Sequence, residues 1–591
     1  MSFQSLLNRI YEWRTKHISN RNFLIVASLA VGMVAGIAAI ALKYTVHGIQ
    51  LGLDYIKNFS GGTVFLFLFP IIGILLTVYY VQRFRRGKLG RGVANILYAI
   101  AKKSSNVERD KIYSHVISSA LTVGFGGSAG LEAPIVVTGA AIGSNTGRDL
   151  RLNYKERTVL LAAGAAAGIS AVFNSPIAGV IFAVEVILME IAIPSFIPLL
   201  IAAATAAVLS NLLYKGQLFF LITQGWQFKA IPFYILLGIL MGLISVYMSR
   251  TTLRLETFFK ARKKVWQKAI WGGTALGLMI FLLPPLYGEG YHTIENLLQG
   301  QYQVIFQGSW FAGYMDSPWS IFGVACVLVL VKVLATALTV GAGGNGGIFA
   351  PSLFTGAVTG FLFAYFFNLT GIIELTIPNF IVAGMAGALS GVVHAPMTSI
   401  FLIAEVTGGY ALFVPLMIVS AFSYFISRYF EPYSIYTKRL AARGLLLTQN
   451  KDKKILSGMK IKNLLETDFI PVMPGDTLGQ LVETFSHSKR NIFPVLDAEQ
   501  KLIGLIQLEN IREIMFQTEL YDTTLVRDLM SKPNITIEAG ESMVEVMRKF
   551  EEYNTWNIPV IDQGKYLGFL SKSTLLTQYR SRMAKQDSTV A

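Results

Sequence analysis

The sequence predicts an all-α polytopic membrane domain built of two inverted-topology repeats, followed by a soluble α/β tandem module. Three observations predict it. Hydrophobic residues make up 53% of the 591 residues and charged residues only 15%, and the mean hydropathy is +0.52, far to the membrane side of soluble proteins. Two glycine-rich loops, each opening an apolar helix, recur at a fixed spacing. Beyond about residue 445 the composition turns polar and a shorter duplication begins.

The net charge of +16 does not signal a nucleic-acid surface. The basic residues cluster in the N-terminal segment, in short loops and after residue 437, and positive charge beside apolar spans marks cytoplasmic loops. The single cysteine, Cys326, lies in the apolar run VACVLVLV, which leaves no intramolecular disulfide and no thiolate metal cluster. It reads as a packing residue. No nucleophile or metal constellation is visible, so no enzyme and no required cofactor are expected.

Residues 1–22 carry Arg9, Arg14, Lys16 and Arg21 but no apolar core with a cleavage site, and read as a cytoplasmic leader rather than a secretory signal. The membrane domain is expected over residues 23–445. Residues 23–42 form an uncharged run of the roughly 20 residues needed to cross a bilayer, and residues 63–81 form a second. Arg83, Arg85, Arg86 and Lys88 follow, placing that end in the cytoplasm beside the leader. A Gly-X-Gly turn at Gly90 and Gly92 then feeds a short helix. The later apolar segments are shorter and rich in Gly, Ala and Ser, as in closely packed or partial membrane helices.

The stretch GGSAGLEAPIVVTGAAIG, residues 126–143, is the first glycine loop. Its glycines free backbone N–H groups, Pro134 suits a first helical turn, and the helix N-terminus attracts anions. Ala133-Pro134, Thr138, Gly139 and Gly143 recur as Ala350-Pro351, Thr355, Gly356 and Gly360, 217 positions on (351 − 134). Gly164, Ser170, Pro176, Glu185 and Val186 recur as Gly384, Ser390, Pro396, Glu405 and Val406, 220 positions on (396 − 176). The halves, about residues 90–215 and 300–445, therefore bring two helix-opening loops to a shared mid-membrane site, which suits an anionic substrate.

Residues 446–457 form a polar linker, and a second duplication follows: Pro494-Val495-Leu496-Asp497 recurs as Pro559-Val560-Ile561-Asp562, 65 positions on (559 − 494). Each copy, 458–518 and 523–580, reads as helix, strand pair and helix, and residues 581–591 form a polar tail.

These residues together resemble the CLC family of chloride channels and chloride/proton antiporters over nearly the whole chain, with a tail that resembles a Bateman-type pair of CBS domains. GLEAP at 130–134 resembles the family's gating-glutamate motif, GGIFAP at 346–351 its second anion-binding loop, and SIYTKRL at 434–440 its pore-tyrosine segment. The resemblance implies a homodimer in the bilayer, with one anion path per subunit. It implies that Glu132 is a gate that leaves the outer site when protonated, and that Gly130, Leu131, Glu132 and Ala133 line that site. It further implies that Ile348, Phe349 and Tyr436 hold a central anion.

The family pattern is broken in four places. Arg91, in GRGVA, stands where a serine usually helps hold the central anion, and either draws anions to the inner mouth or turns to water. Val186 stands where the exchangers carry an internal proton-transfer glutamate, which favours passive channel-like conduction over the antiporter alternative. Asn510 and Thr574 replace the CBS aspartates that hold a nucleotide's ribose. Ser571 either contacts a nucleotide phosphate or is a satisfied turn hydroxyl, and at most weak adenine-nucleotide binding is expected.

Other polar residues have plainer readings. Glu185 and Glu405 are expected to make matched hydrogen bonds between helices, and Lys332, inside LVLVKVLATAL, to neutralise one of them. His394, equivalent to Asn174, reads as a polar helix-start residue. The expectation is a chloride-conducting homodimer of a bacterial inner membrane, with cytoplasmic N-terminus and CBS pair and with protons acting at Glu132. A CBS-regulated cation (magnesium) pathway would require clustered midplane carboxylates, and a non-transporting scaffold would not need paired glycine loops.

Overall fold

A computed structural model describes residues 17, 19–60, 64–87, 89–90, 92–188, 196–214, 216, 225–262, 264–306, 308–309, 313, 317–442, 456 and 458–588. Arg91, most of the leader and nearly all of the linker lie outside the described residues. The chain divides into two compact units, residues 1–446 and 447–591.

Unit 1 is helical. Its first part comprises α1 (Asn20–Ser60), α2 (Val64–Arg85), α3 (Gly92–Lys102), α4 (Lys111–Gly124), α5 (Glu132–Asp149), α6 (Tyr154–Phe173), α7 (Pro176–Phe182) and α8 (Phe196–Leu213). Then follow α9 (Ile231–Ala261), α10 (Val265–Leu282), α11 (Tyr291–Leu298), α12 (Pro318–Ala342), α13 (Phe349–Thr370), α14 (Ile377–Val393), α15 (Pro396–Val406), α16 (Phe413–Phe430) and α17 (Lys438–Ala441). Among the described residues, nine helices are long and apolar enough to cross a membrane.

The first helix runs well past its apolar stretch. Lys43 interrupts the hydrophobic run but not the helix, because its ammonium group donates to the Ala171 carbonyl at 3.1 Å on α6. A buried charge in a membrane protein is tolerated when it is paired in this way.

The duplication is visible as duplicated packing. α5 crosses α6, and α13 crosses α14, with glycine at both sides of each crossing. A Cβ on Gly139 would stand 2.0 Å from the Gly164 carbonyl, and one on Gly356 would stand 2.3 Å from that of Gly384. Small residues are what allow membrane helices to approach so closely. Asn153 and Glu156 form a reciprocal capping box at the start of α6. The helix ends at Asn174 in the left-handed conformation, φ 55°, and α14 ends at His394, φ 60°. His394 therefore terminates one helix rather than starting the next, a difference set by backbone conformation rather than polarity.

Unit 2 holds an antiparallel pair, β1 (Ile492–Leu496) and β2 (Leu502–Gln507), and a three-stranded sheet of β3 (Ile537–Glu538), β4 (Asn557–Asp562) and β5 (Lys565–Ser571). The registers Pro494 to Leu505 and Pro559 to Phe569 are repeat-equivalent. Glu466, from the first copy, exchanges both backbone hydrogen bonds with Phe569 of the second, at 2.8 and 2.9 Å. The last helix continues from Lys572 to Ser588, through most of the expected polar tail.

Candidate anion and proton site

The two glycine loops meet. The Gly130 amide donates to the Gly347 carbonyl at 2.9 Å and the Gly347 amide to the Gly130 carbonyl at 2.7 Å. Neighbouring helices hold both loops in place. Thr339 of α12 accepts from the Ser128 amide at 3.1 Å, and Thr122 of α4 accepts from the Asn345 amide at 2.9 Å. Asn345 also donates through its side chain to Ser118 at 2.7 Å.

From this junction α5 and α13 start in matching fashion. The residues ahead of them, Leu131 and Ile348, have similar φ of −86° and −91°, and neither supplies a side-chain cap. The first-turn N–H groups of two helices are thereby presented without a cap from their own chain end, the usual makings of an anion site.

Glu132, only 1% exposed, is the first residue of α5. Its Oε1 accepts a 2.6 Å hydrogen bond from the Tyr291 hydroxyl on α11. Its Oε2 is buried with no hydrogen-bond partner among the described residues. It sits where a Cβ on Gly130 would be, 2.0 Å away, so only glycine at 130 leaves room for this carboxyl. The backbones of Glu132 itself and of Ala350, one from each half, face the group.

The other predicted residues converge here. Ile348, Phe349 and Tyr436 are buried, and Tyr436 lies within electrostatic range of Glu132. Phe349 packs against Phe173 and Phe182, with ring centroids 5.6 and 6.5 Å away. Val186 is buried in the π-helical turn Ala183–Leu188 that extends α7, among apolar neighbours. Below the loops a cavity of about 620 Å³ is lined by Gly90, Asn95, Gly344 and Asn345 and by the basic Lys260 and Arg439.

Two residues at the site escaped sequence reasoning. Besides Tyr291, the loop before α11 contributes Glu289, whose Oε1 accepts from the Leu131 amide at 3.3 Å. The signal was GEGYHT, an acid between glycines in an apolar region, but it lies outside the duplicated segments. Lys332 pairs with neither Glu185 nor Glu405. Its ammonium donates to the carbonyls of Leu286 and Gly288 at 3.2 and 3.0 Å and lies 4.7 Å from the centre of the Phe354 ring.

In unit 2, Ser571 and Thr574 both donate to Glu466 Oε1 at 2.6 Å, while Arg490 pairs with its Oε2 at 2.8 Å. They line a cavity of about 380 Å³ with Trp556 and Asn557, whereas Asn510 is exposed and outside that lining. Burial pushes the Glu466 carboxyl up, but the two hydroxyls and the Arg490 charge outweigh it and hold the group below the usual carboxylate range.

Comparison with known proteins gives the same two parts. A family model described as voltage gated chloride channel matches residues 72–428, and one described as CBS domain matches residues 461–516 and 526–581. The H(+)/Cl(-) exchange transporter ClcA of Vibrio vulnificus strain YJ016 is 30% identical over 67% of this chain and 84% of its own. Chloride channel protein CLC-f of Arabidopsis thaliana is 25% identical over 80% of this chain and 68% of its own. Among solved structures, a CLC-type fluoride/proton antiporter is similar at a TM-score of 0.57 and 26% identity, covering 70% of this chain and 97% of its own. A slow cyanobacterial Cl-/H+ antiporter shares the fold at a TM-score of 0.62 and 22% identity, covering 73% of this chain and 100% of its own.

Proposed function

The chain belongs to the voltage gated chloride channel family, and from that premise we propose that it exchanges chloride for protons across a membrane, with the Glu132 carboxyl as the station both ions use. The observation that carries the reading is the seat of Glu132, buried at the uncapped start of α5 against backbone of both halves. An ionised carboxylate and a chloride compete for the same N–H groups. A proton neutralises Glu132 and releases it, so anion entry and proton uptake alternate at one place. Several weak sites in series let the ion leave again. Gly130, Leu131, Glu132 and Ala133 line the outer site; the amides of Ile348 and Phe349 and the hydroxyl of Tyr436 hold the central anion.

The Vibrio relative's exchange activity and the fluoride/proton antiporter's likeness, above a quarter identity, support exchange. Val186 supplies no internal carboxyl, so protons reach Glu132 from the inner side through water in the basic cavity below the loops. Passive conduction is the second reading, favoured by Val186 and by the name of the Arabidopsis relative. The protein works as a homodimer in a bacterial inner membrane, with unit 2 cytoplasmic and regulatory, no enzymatic step and no required cofactor.

Simultaneous chloride and proton recording in liposomes tests the proposal. Exchange requires that a chloride gradient drive protons uphill at a fixed ratio. Chloride flux with no accompanying proton movement overturns exchange in favour of conduction.

A further inference from the structure

Glu289 is a carboxylate that the gate mechanism above does not use. It is partly buried in the turn between the 3₁₀ segment Pro284–Leu286 and α11. The turn is pinned from α12: Lys332, fully buried, donates to the carbonyls of Leu286 and Gly288, on the approach to Glu289. Glu289 in turn accepts the amide of Leu131, immediately before the gate. It thus occupies one of the N–H groups that an anion at the outer site would meet.

The charges around it form a cluster of two carboxylates and two ammonium groups. Glu132 faces Glu289 from α5, and Lys43 from α1 and Lys332 from α12 face it as cations. Tyr291 of α11 and Tyr214, just past α8, are further titratable groups in its range. Glu289 is the carboxylate that faces both Lys43 and Lys332. With Glu289 ionised, Glu132 has a like charge beside it. Without it, two cations stand uncompensated near the gate.

We propose that Glu289 is a positioning carboxylate for the gate: it holds the Leu131 amide next to Glu132 and, through its charge, sets how acidic the solution must be before Glu132 releases its place to an anion. The proposal rests on the reading of Glu132 as the gate. A negative neighbour favours the uncharged form of a carboxyl, and a positive one favours the charged form. While it is ionised, Glu289 therefore lets Glu132 accept a proton at higher pH than it would without that neighbouring charge.

The test is chloride flux against pH in liposomes. In Glu289→Gln, which keeps an acceptor for the Leu131 amide but no charge, the midpoint of acid activation is expected to fall by about 1 pH unit, a tenfold change in proton affinity. Glu289→Asp, which restores charge, returns it toward the starting value. Lys43→Gln, which removes a cation that favours the Glu289 charge, moves it the same way as Glu289→Gln and by less. In a Glu132→Gln background, adding Glu289→Gln leaves the flat profile unchanged.

An unmoved midpoint in both Glu289→Gln and Lys43→Gln overturns the inference and leaves Glu289 a backbone acceptor only. A residual pH dependence in Glu132→Gln that Glu289→Gln abolishes overturns it differently, by making Glu289 a gate itself. If Glu132→Gln alone keeps the full original profile, the gate reading fails before this one is reached.

Discussion

Glu185 and Glu405 cap each other's helices. Glu185, in the turn that extends α7, accepts the amides of Met397 and Thr398 at the start of α15, at 3.3 and 2.8 Å. Glu405, near the end of α15, accepts those of Ile177 and Ala178 at the start of α7, at 3.1 and 2.9 Å. Each carboxylate satisfies first-turn donors and sits at the positive end of a helix dipole. The expectation of matched bonding between the halves is what the structure shows, and both acids are occupied by helix-start amides of the opposite half.

The reciprocal arrangement predicts a reciprocal cost. Glu185→Ala and Glu405→Ala should each destabilise the protein by about 1 to 2 kcal/mol, the usual loss for a helix cap. Thermal melting in detergent measures this. Glutamine at either position should recover part of the loss, and chloride flux per folded protein should stay close to the original.

At the gate, Glu132→Gln should raise chloride flux several-fold and make it independent of pH, because an amide cannot be released by a proton. Liposome efflux across pH 4 to 8 checks this. The same variant should lose proton-coupled movement, since the shared station is gone.

Tyr291→Phe should act in the opposite sense to Glu289→Gln. The hydroxyl donates to Glu132 at 2.6 Å, and a hydrogen bond to a carboxylate favours its charged form. Such bonds contribute about 1.5 to 3 kcal/mol, or one to two pH units. Acid activation of flux should accordingly set in at higher pH in Tyr291→Phe. A pH profile that moves downward or stays fixed would contradict the role given to the hydroxyl.

In unit 2, the Glu466 carboxyl is held below the usual range in the fold, so its contribution is present at neutral pH. That contribution is lost as pH falls below about 4, from the ordinary carboxylate value toward the lowered one. Hydrogen exchange of β2 and β5 in the full-length protein should quicken over that window, and Glu466→Gln should remove this part of the pH dependence. If exchange instead slows on acidification, the assigned charge state is wrong.

The same carboxylate argues against nucleotide phosphates, since Ser571 and Thr574 already donate to it. Calorimetry of the full-length protein with ATP should give a Kd of about 1 mM or weaker. Micromolar binding would count against this reading.

What the sequence made legible were features carried by pattern. The offsets of 217 and 220 named both glycine loops and the paired acids, because duplication repeats the contacts along with the residues, and Glu132 stood out as the carboxylate inside the first loop. Tyr291, Glu289 and the partners of Lys332 were hidden, because they come from a non-duplicated turn brought in by tertiary packing. The length of α1 was hidden by Lys43, whose charge breaks an apolar run without breaking a helix. Val186 predicted conduction from one missing carboxyl, while the overall likeness favours exchange, since a local substitution does not report how water reaches the gate.

The paired bonds between Gly130 and Gly347 have a kinematic consequence. The halves of the unit are stitched where the two glycine loops meet, beside the proposed anion path, and leaving such buried amides unmatched costs about 1 to 3 kcal/mol each. On the proposed reading, rocking the halves apart around the substrate would carry that cost, whereas swinging the Glu132 side chain would not.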